Sequence, residues 1–367
     1  MRIDSIALSG FRNFKEINCT FIPDVNVITG QNAQGKTNLL ESVYLLAAGR
    51  SFRARSDREL IGFDAQSAAV RACVYTDGRD QTIALDLNRG RAKRFSVNGV
   101  RQKSFSQMAG RFTAVLFCPD DLSIIREGAA ARRRLLDGCI CQLRPRYAAA
   151  LSGFNRTYEQ KTRILRDWRE KPDLLAALDA YSEQLARFSA ELIYYRAHFV
   201  RRLSEEAGKI HQAFSGGREA LAVRYLTVKT VEDPMQPPRT LYPQLLAHWQ
   251  SHRQAEIDAG QCLSGAHKDD LDIQINGLSA KSYASQGQTR TAALSLKLGE
   301  REIMFREKGE YPVLLLDDVL SELDADRQSF VLNRIAGGQV LITCCDEAGI
   351  FEKTGGKIIR VEKGTIL

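Results

Sequence analysis

The period of the apolar residues changes along the chain, and each change marks a segment. Val25, Val27 and Ile28 form a short β-branched run, after which Leu39, Leu40, Val43, Leu46 and Ala47 recur at helical spacing. The polar, glycine-bearing stretch "TGQNAQGKTN" (29–38) lies between them, so this region predicts strand, loop and helix. Residues 313–316 are continuously apolar, as in a strand buried on both faces of a parallel sheet. From 129 to 215 strand character is lost. Leu136, Ile140, Leu143, Tyr147, Leu151, Phe154 and Tyr158 step by four and three, and Leu178, Tyr181, Leu185, Phe188, Leu192, Tyr195, Phe199 and Leu203 form a second series. Pro172 opens that second helix and Asp173 charges its first turn. Two antiparallel helices, each about 50–60 Å long, are the simplest solution. Residues 228–245, rich in proline and acid, read as a loop, and the next stretch is helical again. The pattern predicts an α/β head in two parts, 1–128 and 261–367, with a helical insertion at 129–260.

The loop at 30–37 has the form G-x-x-x-x-G-K-[ST]. Gly30 and Gly35 allow backbone angles that turn the amides of Gln31, Asn32, Ala33 and Gln34 around phosphate oxygens. Lys36 reaches the β- and γ-phosphates, the Thr37 hydroxyl ligates Mg²⁺, and the helix N-terminus at Thr37 and Asn38 adds partial positive charge. The plain alternative is a glycine-rich turn beside an exposed lysine, but the strand–helix context favours nucleotide binding. The run at 313–316 ends in Asp317 and Asp318. Acids at the carboxyl end of a central parallel strand stand beside such a loop, Asp317 in the Mg²⁺ shell and Asp318 orienting the attacking water. In "SYASQGQTRTAALSLKLGEREI" (282–303), Ser285, Gly287 and Gln288 precede a helix, and Ser285 is a plausible N-cap. Its amides make a second anion site. One γ-phosphate meets two helix N-termini most simply when two copies face each other and form two equivalent composite sites.

Composition narrows the setting. The chain carries 52 basic and 44 acidic side chains, a net charge of +8 that favours a polyanionic partner. Arg2, Asp4 and Arg12 interrupt the early apolar runs, so no signal peptide is expected, and no apolar run reaches membrane-spanning length. The eight scattered cysteines fit a reduced, cytoplasmic setting. Cys139 and Cys141 in a helical stretch, and the pair Cys344 and Cys345 at a strand end, match no zinc-site spacing. His267 reads as a structural hydrogen-bonding residue.

The three nucleotide markers resemble an ABC-type ATPase head: Walker A, a signature loop, Walker B, and a D-loop at 321–324. The segments "LSGFRNF" (8–14), "NAQGKTNLLE" (32–41), "GRSFRARSDRELI" (49–61), "FCPDDLSII" (117–125), "RRRLLD" (132–137), "GAHKDDL" (265–271), "YASQGQTR" (283–290) and "LLLDDVLSELD" (314–324) narrow the resemblance to the RecF family of bacterial DNA replication and repair ATPases. Two segments depart from the family pattern: "EGAAARRR" (127–134) where Gly-Ser-Pro is expected, and Gly265-Ala266-His267-Lys268 where Gly-Pro-His-Arg is expected. The resemblance implies a mixed-sheet ABC head carrying a helical lid or short antiparallel coiled-coil arm. It also implies an ATP-dependent homodimer on duplex DNA at single-strand gaps, working with RecR and RecO to load RecA. It places Arg12 and residues 51–53 near the nucleotide. Aspartate at 318, where many ABC ATPases have glutamate, predicts slow turnover and a faster Asp318→Glu variant. The region at 340–350 lacks the usual histidine, which leaves Thr343 as the candidate γ-phosphate sensor.

For DNA, the basic residues Arg89, Arg91, Lys93, Arg94, Arg101 and Lys103 sit in a hairpin region, and Arg132, Arg133 and Arg134 open a helix against its macrodipole. Phosphate contact explains that placement, and so does an internal ion pair. Neither cluster has interleaved aromatics, which favours duplex backbone over a single-strand stacking platform. Two rival readings are a nucleotide-gated scaffold without turnover and an ATPase subunit of another assembly, such as a membrane transporter.

Overall fold

The computed structural model describes residues 1–335, 337–345 and 354–367. The apolar runs become the centre of a six-stranded sheet in the order Thr365–Ile366, Lys357–Glu362, Val25–Thr29, Val340–Cys344, Val313–Asp317, Ala114–Phe117. All neighbours are parallel except the edge strand Thr365–Ile366. Every residue of the three middle strands is buried, because both faces are covered. Alternation along each strand divides the residues between two cores. Ile28, Val313, Leu315 and Leu341 pack with Leu39, Leu40 and Val43 of the helix Lys36–Ala48, and with a second sheet. Val27, Leu314, Leu316 and Ile342 pack on the helical side.

The second sheet is antiparallel: Phe14–Thr20, Arg2–Phe11, Ser67–Thr76, Arg79–Asn88, Arg94–Val97, Val100–Gln102. Its tight hairpins turn on Asp77-Gly78 and Asn98-Gly99, all four residues at positive φ, which two-residue turns of this hand require. The helix that follows the nucleotide loop is held between the two sheets.

The helical segment differs from the expected pair. The first series is two helices, Ala129–Leu143 and Pro145–Asp167, broken at Arg144. Pro145 lacks an amide hydrogen and forces Arg144 into extended geometry, φ −128° and ψ 99°. The 23-residue second piece is about 35 Å long, shorter than expected, whereas the 37-residue helix Leu178–Phe214 reaches about 55 Å. Pro172 opens a 3-10 turn, Pro172–Ala177, and the long helix starts after it. The loop expected at 228–245 gives way at Pro238 to the helix Pro238–Ala259. The segment 129–260 is not purely helical: Leu221–Leu226 pairs with Asp270–Ile275 of the following segment.

The long helix runs antiparallel to the helix Gln286–Lys308. Arg202 pairs with Glu307, and Arg306 lies 2.8 Å from Glu206. At the crossing, a Cβ on Gly299 would stand 3.1 Å from the Ala207 nitrogen, so glycine permits the approach. A buried network ties the long helix to the segment 265–270. Arg196 donates to Asp269 at 2.7 Å, to Asp137 at 2.8 Å, to the Ala266 carbonyl at 2.7 Å and to Tyr147 at 2.9 Å. Burial pushes the Asp269 carboxyl up from its usual value, while Arg196, Tyr225 and Thr227 oppose the shift. Arg196→Ala strands both carboxylates, so we expect about 3–5 kcal/mol of lost stability in urea unfolding. Asp137→Asn, which keeps shape and most contacts, should cost less.

Candidate functional site

The loop after Val25–Thr29 is built for close approach. Gly30 (φ 151°) leaves no room for a side chain: a Cβ there would lie 2.3 Å from the Val361 carbonyl oxygen. At Gly35 (φ 124°) a Cβ would lie 2.9 Å from Asn13 Nδ2. Ala33 also takes the left-handed region, φ 65°. Gln34 braces the loop from outside, its carbonyl accepting from Asn13 Nδ2 at 2.8 Å and its side chain accepting from the Lys363 amide at 2.6 Å. Gln31, Asn32 and Ala33 remain exposed. Lys36 is buried, with Nζ donating to the Gly30 carbonyl at 2.7 Å and the Gln31 carbonyl at 3.3 Å. Its third contact, unforeseen from sequence, is Cys345 Sγ at 3.3 Å.

Thr37 Oγ1 donates to Asp317 Oδ1 at 2.9 Å. Burial pushes the Asp317 carboxyl up, against hydrogen bonds from Thr343 and Thr37. A hydroxyl and a carboxylate with only oxygen donors suit Mg²⁺, which keeps waters and phosphates in its shell. No cluster of three or more acidic, histidine or cysteine ligands occurs among the described residues, so the protein alone forms no metal cage there. Asp318 is half-buried and left-handed, φ 52°, with its amide donating to Thr343 Oγ1 at 2.9 Å. Thr343, expected as γ-phosphate sensor, braces both acids: its hydroxyl donates to Asp317 and accepts from the Asp318 amide. Residues 346–350 of that expected sensor region lie outside the described residues.

One turn beyond Thr37, Glu41 is fully buried. It accepts from Arg12 at 2.8 and 2.9 Å, from Arg53 at 2.7 Å and from Ser51 at 2.5 Å. Burial opposes its ionisation, but these donors overcome it and hold the carboxyl below the usual range. Arg12, itself left-handed at φ 54°, and Arg53 are thus fixed beside Asn38. The anchor Glu41 was missed in the sequence, although its i+4 spacing from Thr37 was a signal.

Ser285 caps the helix Gln286–Lys308 in a reciprocal box. Gln288 N donates to Ser285 Oγ at 3.2 Å, and Ser285 N donates to Gln288 Oε1 at 2.9 Å. Arg327, at the start of the helix after the D-loop, donates to Thr291 Oγ1 at 3.2 Å and the Gly287 carbonyl at 3.4 Å. The cavity beside Ser285, Gly287 and Gln288, about 550 Å³, also includes Arg218, Glu219 and Arg327. A separate cavity of about 750 Å³ is lined by Arg12, Asn38, Arg53 and Phe63, and shares no residue with the first. Of residues 30–38 only Asn38 lines this second cavity, and none lines the cavity at Ser285.

The basic residues divide. Arg132 is buried and paired with Asp270 at 2.5 Å, with Nη1 on the carbonyls of Ile124 and Glu127, so the internal pair explains its place and it is withdrawn as a phosphate contact. Arg89 is spent on the carbonyls of Gly62, Phe63 and Ala65, Lys93 pairs with Asp57 at 3.0 Å, and Arg133 donates to the Asp269 carbonyl at 2.7 Å. Arg91, Arg94 and Arg134 are exposed. Cys139 and Cys141 are buried, and desolvation pushes the Cys141 thiol up to about 12. His267 packs on the Tyr158 ring at 4.5 Å, and burial pushes its pKa down to about 4, against a backbone hydrogen bond at Cys262. Among the described residues no helix is long and apolar enough to cross a membrane.

The family model described as "RecF/RecN/SMC N terminal domain" matches residues 2–365. The chain is 37% identical to the DNA replication and repair protein RecF of Acetivibrio thermocellus, over 99% of both chains. It is 40% identical to that of Listeria welshimeri, over 100% of this chain and 99% of the relative. A solved structure titled as the recombination mediator protein RecF-ATP in the RecFOR pathway aligns with TM-score 0.89 and 34% identity, covering 100% of this chain and 96% of that one. The Smc head domain of Pyrococcus furiosus, TM-score 0.53 at 17% identity over 99% of this chain and 94% of that one, shares the fold.

Proposed function

The chain belongs to the RecF family, and from that premise we propose that it is an ABC-type ATPase that pairs on ATP and clamps DNA during replication and repair. Residues 30–38 would hold the triphosphate, Thr37 and Asp317 would hold Mg²⁺, which would neutralise phosphate charge, and Asp318 would orient the attacking water. The signature of a second copy, Ser285, Gly287 and Gln288, closes over the γ-phosphate. The absence of every residue of 30–38 from the cavity lined by Ser285, Gly287 and Gln288 carries this reading. ATP favours the pair because each nucleotide gains its second set of donors only when both copies are present. Hydrolysis removes the γ-phosphate contact and releases the clamp.

We assign duplex backbone contact to the exposed Arg91, Arg94 and Arg134, which gives affinity without base specificity. Binding at junctions of single and double strand, partnership with RecO and RecR, and support of RecA loading follow from the pathway in which the solved relatives are titled. We place this activity in the cytoplasm, where the eight free cysteines stay reduced. Sedimentation and ATP hydrolysis, with and without ATP, on plain and gapped duplex, test the whole reading. ATP-dependent pairing with slow, DNA-stimulated hydrolysis supports it, and a species that encloses its nucleotide as a monomer overturns it.

The left-handed backbone at Asp318 adds a second reason for aspartate besides slow turnover, since short Asp and Asn side chains tolerate φ near +52° better than glutamate. Asp318→Asn is therefore the cleaner variant. It keeps the backbone preference and removes the carboxylate that orients water. Single-turnover hydrolysis should fall at least ~100-fold, while the ATP-bound pair persists longer in sedimentation.

A further inference from the structure

Glu219 stands in the turn after the long helix and is absent from every motif. Its backbone is fixed by the Ser215 hydroxyl, which accepts from the Glu219 amide at 3.1 Å. Its carboxylate, 23% exposed, has a donor on each oxygen. His211 Nε2 of the long helix lies 3.0 Å from Oε2, and Gln288 Nε2 of the signature donates to Oε1 at 2.9 Å. His211 is fully buried, and desolvation pushes its pKa below the usual value against the Glu219 contact. Because a carboxylate only accepts, Nε2–H is the donor to Glu219.

The amide of Gln288 is consequently oriented from both ends. Its oxygen accepts from the Ser285 amide and its nitrogen must face Glu219, because a carboxylate only accepts. That orientation keeps the reciprocal cap closed. Ser285 Oγ then accepts from the Gln288 amide and retains its own hydrogen for an acceptor outside the protomer. The other end of the same two helices is tied by Arg202 to Glu307 and by Arg306 to Glu206, and Gly299 packs on Ala207 between them. The long helix and the signature helix are thus tied at both ends, and Glu219 is the point where the long helix meets the cap.

We propose that Glu219 is a positioning residue: it links the helical insertion to the signature loop through Gln288 and keeps Ser285 aimed at the γ-phosphate held by a second copy. This rests on the ATP-dependent pairing proposed above. Glu219 touches no nucleotide of its own chain in that arrangement, so its loss separates pairing from binding.

Glu219→Gln is the sharpest test. A glutamine is isosteric but neutral, so neither His211 nor Gln288 keeps a bond to a charged oxygen. ATP-dependent pairing, read by sedimentation equilibrium, should weaken about ten-fold. ATP affinity of the dilute monomer should be unchanged. Glu219→Ala in a Gln288→Ala background should add little to the effect of Gln288→Ala alone, since both act through one contact. Thermal unfolding of each variant guards against general loss of fold. Unchanged pairing of Glu219→Gln, beside unmodified protein that pairs normally, overturns the role of Glu219 and leaves the pairing intact. A parallel fall in monomer ATP affinity also overturns it and assigns Glu219 to stability. Failure of the unmodified protein to pair overturns both readings.

Discussion

Lys36→Ala should abolish nucleotide-dependent behaviour altogether. The ammonium is 4% exposed, and its three contacts are two loop carbonyls and one thiol, all weak partners beside a triphosphate. With ATP present the lysine exchanges these for charged oxygens. Two charge-assisted bonds at about 1.5–3 kcal/mol each correspond to an affinity loss on the order of 100- to 1,000-fold or more. Equilibrium dialysis with labelled ATP reads this directly. Pairing and hydrolysis should vanish with it at millimolar ATP, because both lie downstream of binding. Folding should survive, because the groups that crowd Gly30 and Gly35, the Val361 backbone and the Asn13 and Phe14 side chains, stay in place without the lysine. ATP binding within a few-fold of the unmodified protein would refute the assignment of this loop.

Ser285→Arg should do the converse, leaving ATP binding intact while removing the pair. The substitution deletes the hydroxyl that caps Gln288 N, a loss of about 1 kcal/mol in helix stability. Its larger effect is geometric: a long cationic side chain fills the space where the partner's γ-phosphate would be read. Pairing in sedimentation should fall below detection, and hydrolysis, which needs the composite site, should fall with it. Monomer ATP affinity should match the unmodified protein, since none of residues 30–38 lines the cavity at Ser285. Retention of ATP-dependent pairs in this variant would contradict the trans arrangement, whatever the state of Lys36.

The legible parts share a property: their determinants are close together along the chain. The nucleotide loop is eight residues between a β-branched run and a helical one, and its chemistry follows from spacing alone. The Ser285–Gln288 box and the acids ending the run at 313–316 are equally local. Local reasoning failed where one residue overrode a period. Leu136 to Tyr158 keep their spacing through Arg144 and Pro145, yet the proline breaks the helix because its ring and missing amide act on the backbone, which apolar spacing does not report. The basic triplet failed differently. Arg132 was weighed as either a phosphate contact or half of an ion pair, and the deciding partner, Asp270, is 138 residues away.

The sequence by itself determined the strand, loop and helix at 25–48, the buried strand at 313–317 and the capped helix after Ser285, because these depend on hydrophobic period, glycine placement and the chemistry of adjacent side chains. Tertiary structure alone decided what each buried face meets. It set Glu41 under Arg12 and Arg53, turned Thr343 toward Asp317 and Asp318, joined Arg196 to Asp137 and Asp269, and brought Glu219 to Gln288. A period tells a side chain to leave water but not which partner will satisfy it. In a low-dielectric interior, satisfying each polar group is what selects one packing of these elements over its competitors.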